Sequence, residues 1–211
     1  MLSFALVSAL PFAGGCNIVA PLFFLVAGPD TYEAEHKLDD ERATVVFIDD
    51  PRSRVPRRAL RLEMLKAVEE SLLSRGLVDT LLDGQAAMRV SDGDSTGGRM
   101  SITELGRTIG ADIVVWVTVD EFVRPGVSGD TQPSASIRVR VVDAESNEVQ
   151  FPADPAGRPL RVSDAFRRGA VANAAGARSA AELAIASKAG GAAAQLFYEY
   201  PVTRRIADRG P

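Results

Sequence analysis

Between Ile113 and Phe122 the chain reads IVVWVTVDEF, a run so dense in β-branched and aromatic side chains that a buried strand is its natural state. Two further runs have the same character. Ser134 to Asp143, SASIRVRVVD, alternates Ile137, Val139 and Val141 with Arg138 and Arg140, which places one face in a core and the other in water. Ala43 to Asp50, ATVVFIDD, is nearly continuous in apolar residues and predicts a short strand covered on both sides, closed by the turn signal Asp49-Asp50-Pro51. After the turn DAESNE, the tripeptide VQF is a hairpin partner for the second of these strands, and LRV from Leu160 adds a short edge strand.

Helical patterns separate the strands. In RALRLEMLKAVEESLLSRG, Leu62, Leu65, Val68 and Leu72 recur at helical spacing, and Gly76 stands where a helix-ending glycine belongs. Residues Val78 to Val90 are less regular, with Asp79 and Asp83 as caps and Ala86 to Met88 in a short helix. In SITELGRTIGAD, Ser101 and Glu104 have capping-box spacing and Gly110 closes the helix. The last pattern, SAAELAIASKAGGAAAQLFYEY, offers a small-residue face of Ala181, Leu183, Ala184, Ala189, Ala193, Leu196 and Phe197. Gly190 and Gly191 weaken or kink it by about 1 kcal/mol each relative to alanine, and Pro201 stops it. Mixed within one compact length, these elements define an α/β (α+β) fold. The expected form is a two-layer sandwich with a mixed sheet of about four to five strands and helices mainly on one face.

The amino terminus follows other rules. No charged side chain precedes Asp30. Leu2 to Phe12 has the length of a secretion-signal core, and Ala13, Gly14 and Gly15 supply the small residues a signal peptidase requires before Cys16. AGGC resembles the lipobox of bacterial lipoproteins, whose cysteine thiol receives a diacylglycerol and becomes the new amino terminus. The match departs from that pattern at Ala13, where Leu is usual, and in the absence of a basic leader. An uncleaved membrane helix is the alternative, since the run from Leu2 to Gly28 is long enough to span a bilayer, although Pro11, Gly14, Gly15 and Pro21 interrupt it. A buried structural cysteine is the third reading. The expected organisation is a signal peptide over 1–15, an apolar and then charged tether over 16–42, the folded domain over 43–200 and a flexible tail over 201–211. His36 falls in the tether and reads as solvated.

Charge and composition narrow the function. A formal charge of −4 gives no surplus for a polyanion, so nucleic acid is not a favoured partner. One cysteine excludes an intramolecular disulfide, and one histidine leaves little for a metal site. Asp92 and Asp94 lie among glycines, but the third ligand, the sixth-position glycine and the bidentate Glu of a calcium loop are missing. Gly93, Gly97 and Gly98 lack the Gly-Lys-Ser/Thr ending of a phosphate loop, and no nucleotide or other cofactor signature occurs elsewhere. Serine nucleophiles lack a base, and the adjacent pairs Asp49/Asp50 and Asp120/Glu121 point to opposite faces of their strands, so no catalytic dyad is predicted. The expectation is a non-enzyme, with an envelope hydrolase using the strand-end carboxylates, Asp120 first among them, as the lesser alternative.

The densest charge lies in RSRVPRR, where Arg52, Arg54, Arg57 and Arg58 precede a helix whose dipole they oppose. Such a loop offers a contact to anionic headgroups or to a partner; the plain alternative is a solvated loop neutralised by Asp39, Asp40 and Glu41.

A family resemblance enters at ELGRTIGADIVVWVTV, followed by SIRVRVVDAESNEV. Gly110, Ala111, Asp112, Asp143 and Ala144, with their flanking elements, look like a domain shared by bacterial envelope proteins. These include the amino-terminal domain of TolB, the curli-secretion lipoprotein CsgG and the lipoprotein activators of penicillin-binding proteins. In such a domain Gly110 would take a positive φ between helix and strand, and Asp143 would bond the hairpin's own backbone. The resemblance implies a membrane-attached, periplasmic or envelope-facing module, held by lipid on Cys16, that contacts another envelope protein. Self-association is left open.

Overall fold

A computed structural model of the protein describes residues 30–93, 100–126, 132–164 and 175–207. Cys16, the Ala13–Gly15 cleavage motif, the apolar run 18–27 and Asp94 lie outside the described residues. The elements in chain order are β1 (Thr31–Tyr32), β2 (Thr44–Asp49), α1 (Arg58–Ser74), β3 (Leu81–Leu82), α2 (Gly84–Gly93) and α3 (Ile102–Ile109). They continue with β4 (Ile113–Val123), β5 (Ser134–Asp143), β6 (Val149–Phe151), β7 (Arg158–Ser163), α4 (Ala175–Ala194) and β8 (Tyr200–Pro201). Short 3-10 turns follow α4 at Gln195–Phe197 and β8 at Val202–Arg204.

Six strands form one mixed sheet in the order β3-β2-β4-β5-β6, with β7 also paired to β5. The sheet is wider than the sequence suggests, because two-residue β3 carries too little pattern to be read. β2 runs parallel to β3 and β4, and β4, β5, β6 and β7 are antiparallel neighbours. Register sorts the side chains into two faces. Ile48, Val117 and Val139 align on one, and Phe47, Trp116 and Arg140 on the other. The first face is fully buried beneath the long helices α1 and α4, which pack on each other and on β2, β5 and β7. On the second face α3 covers Val114 and Ala144, and the arginine side of β5 stays partly open.

The α1 core stripe is Leu60, Met64, Leu65, Val68 and Leu72; Leu62 is only half-buried at its border. Gly76 takes φ +60 and its N–H bonds Leu73 O, closing the helix as expected. Of the face predicted for α4 and the turn after it, Ala189, Ala193, Leu196 and Phe197 are buried, but Ala181 and Ala184 are half-buried and Leu183 is 40% exposed; Glu182, Ile185 and Ala186 are buried in their place, so the first half of the face is rotated from the predicted one. The helix runs on through Gly190 and Gly191. A Cβ at Gly190 would stand 2.2 Å from the carbonyl oxygen of Met64, which shows what the glycine is for: it lets the α1 and α4 backbones meet.

Two expected flexible segments are packed instead. Residues 30–42, read from their charge as tether, begin in β1, which pairs with β8. The N–H groups of Glu35 and His36 bond Leu196 O at 2.8 and 3.1 Å, Arg158 pairs with Glu35 at 2.7 Å, and Leu38 is buried. His36 is half-buried rather than free in solvent; its ring stacks on Phe151 at 5.3 Å, and burial lowers its pKa. After Pro201 the chain is held by Gln195, whose side chain donates to Arg204 O at 2.6 Å and accepts from Ile206 N at 3.0 Å, and Ala207 is buried. Charge made both stretches look like linker, yet each is tied down by backbone or side-chain bonds and buries one apolar residue, Leu38 in the first and Ala207 in the second.

Candidate functional site

The residues behind the family resemblance converge on one joint. Ser101 Oγ accepts from Glu104 N to start α3, and Gly110, at φ +80, ends it in the left-handed region that glycine adopts without strain. Asp112 then accepts from Ala43 N at 3.0 Å, and its carbonyl takes the N–H of Ala144 at 2.9 Å, which locks β2, β4 and the β5 turn together. Asp143 accepts from the backbone of Ser146 at 2.8 Å and Glu145 at 2.9 Å, and from Arg42 at 2.7 Å. The hairpin N–H groups first, and Arg42 second, hold its carboxyl well below the usual carboxylate range. Gly106 is a glycine by necessity, since a Cβ there would lie 2.5 Å from that of Ala144. These are joinery, not chemistry.

The basic loop is shaped by Asp50, whose carboxylate accepts from Arg54 N at 2.7 Å and Val55 N at 2.8 Å. Its positive charge is met elsewhere than the acidic stretch at Asp39 to Glu41. Arg57 pairs with Glu182 at 2.5 Å, Arg124 reaches the same buried carboxylate at 2.7 Å, and Arg58 and Arg61 share Asp92 at 3.2 and 3.0 Å. Among the described residues, Arg52 and Arg54 have no ion-pair partner and are exposed. They are the guanidinium groups of this loop left to face outward.

The open sheet face holds a groove of about 350 Å³ lined by Phe47, Asp49, Met100, Ile102, Trp116 and Val149, among others. Asp49 is only 6% exposed and accepts from Trp116 Nε1 at 3.2 Å, while the Arg140 guanidinium lies 4.7 Å from the Trp116 ring centre. Sequence reading missed this grouping. Its signal was the register that aligns Phe47, Trp116 and Arg140, which a single strand pattern does not reveal. The strand-end carboxylates are occupied: Asp49 by Trp116, Asp50 by the loop backbone and Asp120 by Arg138, and Glu121 is exposed. Among the described residues no group of three metal-ligating side chains occurs.

A larger, shallower groove of about 920 Å³ runs between α1 and α4, lined in part by Leu73, Arg75, Lys188 and Ile206. Beside its Ile206 end the amino-terminal chain enters the domain, because the Asp30 carbonyl accepts from Val202 N at 2.9 Å. Among the described residues no helix is long and apolar enough to cross a membrane.

No protein-family model and no curated protein matches the sequence. Solved structures with a similar arrangement include the PelC dodecamer from Paraburkholderia phytofirmans, at 14% identity and TM-score 0.44 over 80% of this chain and 96% of that one. Lipoprotein GNA1162 from Neisseria meningitidis matches at 12% identity and TM-score 0.41, over 61% and 85% of the two chains. The LpoB C-terminal domain from Salmonella enterica matches at 16% identity and TM-score 0.34, over 68% and 93%. Likeness at this level says nothing of a shared activity.

Proposed function

We propose that this chain is a bacterial envelope lipoprotein. Residues 1–15 are removed as a signal peptide, Cys16 carries the fatty chains, and the α/β domain is a non-catalytic interaction and assembly module of the TolB, CsgG and penicillin-binding-protein-activator kind. The observation that carries this reading is the point of entry. The bond from Val202 to Asp30, and the β1–β8 pairing behind it, fix the chain to the domain just past the apolar run 18–27. From Cys16 to Asp30 the extended chain reaches at most ~50 Å, so the domain is held near its anchor by one defined corner. The candidate carboxylates Asp49, Asp50 and Asp120 are bound into structural contacts, which supports a domain that binds rather than turns over substrate. Arg52 and Arg54, with Arg57 and Arg58 behind them, are the contact offered to an envelope protein partner.

Mass spectrometry of the mature protein tests the anchor. A diacylated Cys16 at the amino terminus is expected, and detergent-phase partitioning is lost in Cys16→Ser. An intact Met1 with unchanged partitioning would replace the lipid by an uncleaved membrane helix.

A further inference from the structure

The sequence contains three tyrosines, Tyr32, Tyr198 and Tyr200, and the fold gathers all of them at the corner where the amino-terminal chain enters. Tyr200 is buried and holds the two half-exposed rings, with centres 5.4 Å from Tyr32 and 6.0 Å from Tyr198. The Arg75 guanidinium lies 3.7 Å from the Tyr198 ring centre, and that of Arg205 lies 5.6 Å from the Tyr32 ring centre. Around them stand Leu73, 54% exposed, Val202, 41%, and Ile206, 36%. Only two other large apolar side chains among the described residues are as open, Val149 and Leu183. Apolar exposure is therefore concentrated beside Asp30.

Resting on the membrane-anchored reading above, we infer that this corner is the surface with which the domain lies on the lipid bilayer. The apolar run ends at Ala27, and only Gly28 and Pro29 separate it from Asp30. If that run enters the interface, the Tyr32–Val202 corner is within ~10 Å of the headgroups, because each extended residue spans about 3.5 Å. Tyrosine suits that depth, with an apolar ring and a polar hydroxyl, and arginine stems lie along apolar surface while their heads stay in water.

The patch is not strongly basic. Asp30, Glu33 and Glu199 stand exposed among the arginines, and Glu70 at the groove is paired with Lys66 at 3.6 Å. The contact is apolar and aromatic, so it does not require anionic lipid. It also sets an orientation: α1 has 17 residues, about 25 Å, and ends at this corner, so the loop with Arg52 and Arg54 sits at its far end. That loop faces away from the bilayer, toward a protein partner.

The test uses the full-length lipidated protein, in which the thioether consumes the thiol of Cys16. Leu73→Cys, Val202→Cys, Ile206→Cys and Arg54→Cys each then supply one free thiol for an environment-sensitive fluorophore. In vesicles carrying a headgroup nitroxide, labels at 73, 202 and 206 are expected to lose most of their emission, equally in zwitterionic and anionic lipid, and the label at 54 to keep its emission. Equal quenching at all four positions, with the protein still floating with the vesicles, would overturn the inference and leave the anchor standing. Failure to float would remove the anchored reading itself. Quenching that needs anionic lipid would assign the contact to the arginines and overturn its apolar basis. Shielding found in native envelopes but not in lipid-only vesicles would give the patch to a protein.

Discussion

Gly190 and Gly191 are adjacent, and sequence reasoning treats them alike, as two weak points in a helix. Their surroundings separate them. A Cβ at Gly190 would press on the Met64 carbonyl and the Ala67 methyl, and a backbone atom cannot step aside without moving α1. At Gly191 the nearest obstacle is the Ile206 Cδ1 at 3.0 Å, the end of a flexible and partly exposed side chain. Gly190→Ala is therefore expected to destabilise by about 2 kcal/mol, an overpacking cost that exceeds the helix-propensity gain. Gly191→Ala is expected to be neutral or stabilising by up to about 1 kcal/mol. Urea unfolding of the two variants checks the contrast. Asp143 gives a second expectation. Its folded-state pKa is depressed by the hairpin N–H groups and by Arg42, so its contribution is present above the unfolded value near about 4 and is lost as pH falls below it. His36, a base disfavoured in its charged form by burial, adds a loss that begins from about pH 6.5 downward. Asp143→Asn should lower stability at pH 7 by about 2 kcal/mol, the worth of hydrogen bonds to a charged group, and flatten the acid limb below about pH 4. Unfolding midpoints taken from pH 7 to pH 3 read both effects.

Elements were legible in proportion to the length and purity of their pattern. β4 and β5 were plain because ten or so residues repeat a two-residue period with one buried face, and Ile137, Val139 and Val141 do point inward. The Ser101–Glu104 cap and the Gly110 terminator were plain because capping chemistry is local. β3 and β1, with two residues each, have no period to detect, and their pairing is decided by distant partners. The first half of the α4 face departs from the expected one for a different reason: in a helix made mostly of alanine and glycine, nearly every rotation looks apolar, and of its two large apolar side chains, Leu183 and Ile185, the one placed on the predicted face, Leu183, points outward. Ile185 is the buried one. Leu183→Ala should change stability by no more than about 0.5 kcal/mol, whereas Ile185→Ala should cost about 2 to 5 kcal/mol. Thermal unfolding of the pair decides the register of the helix, and the reverse order of effects would restore the face read from sequence.

At the scale of the whole molecule, the segments on either side of the sheet, around Asp30 to Leu38 and Tyr200 to Ala207, are joined to each other as well as to the sheet. Among the described residues β1 pairs only with β8, Asp30 O accepts from Val202 N, and Leu196 O gathers the N–H groups of Glu35 and His36. None of this was legible, because the contacts link residues about 170 positions apart through backbone groups that every residue possesses. Sequence reading instead saw charge before Ala43 and after Pro201, and charged stretches resemble linkers until their partners are known. The closure has a consequence that a loose tail would not have. Removing residues 202–211 takes away the donor to Asp30, both partners of the Gln195 side chain and the buried Ala207. An unpaired buried amide alone costs about 1 to 3 kcal/mol. The truncated protein is therefore expected to lose stability, and protease cleavage around Glu33 to Lys37, on the segment that pairs with the removed one, is expected to accelerate while the sites near Arg52 and Arg54 keep their rate. Limited proteolysis followed by peptide mass mapping measures both in one digest. Unchanged cleavage at Glu33 to Lys37 would mean that the ends fold independently, and a domain built that way would not hand its anchor to one fixed corner.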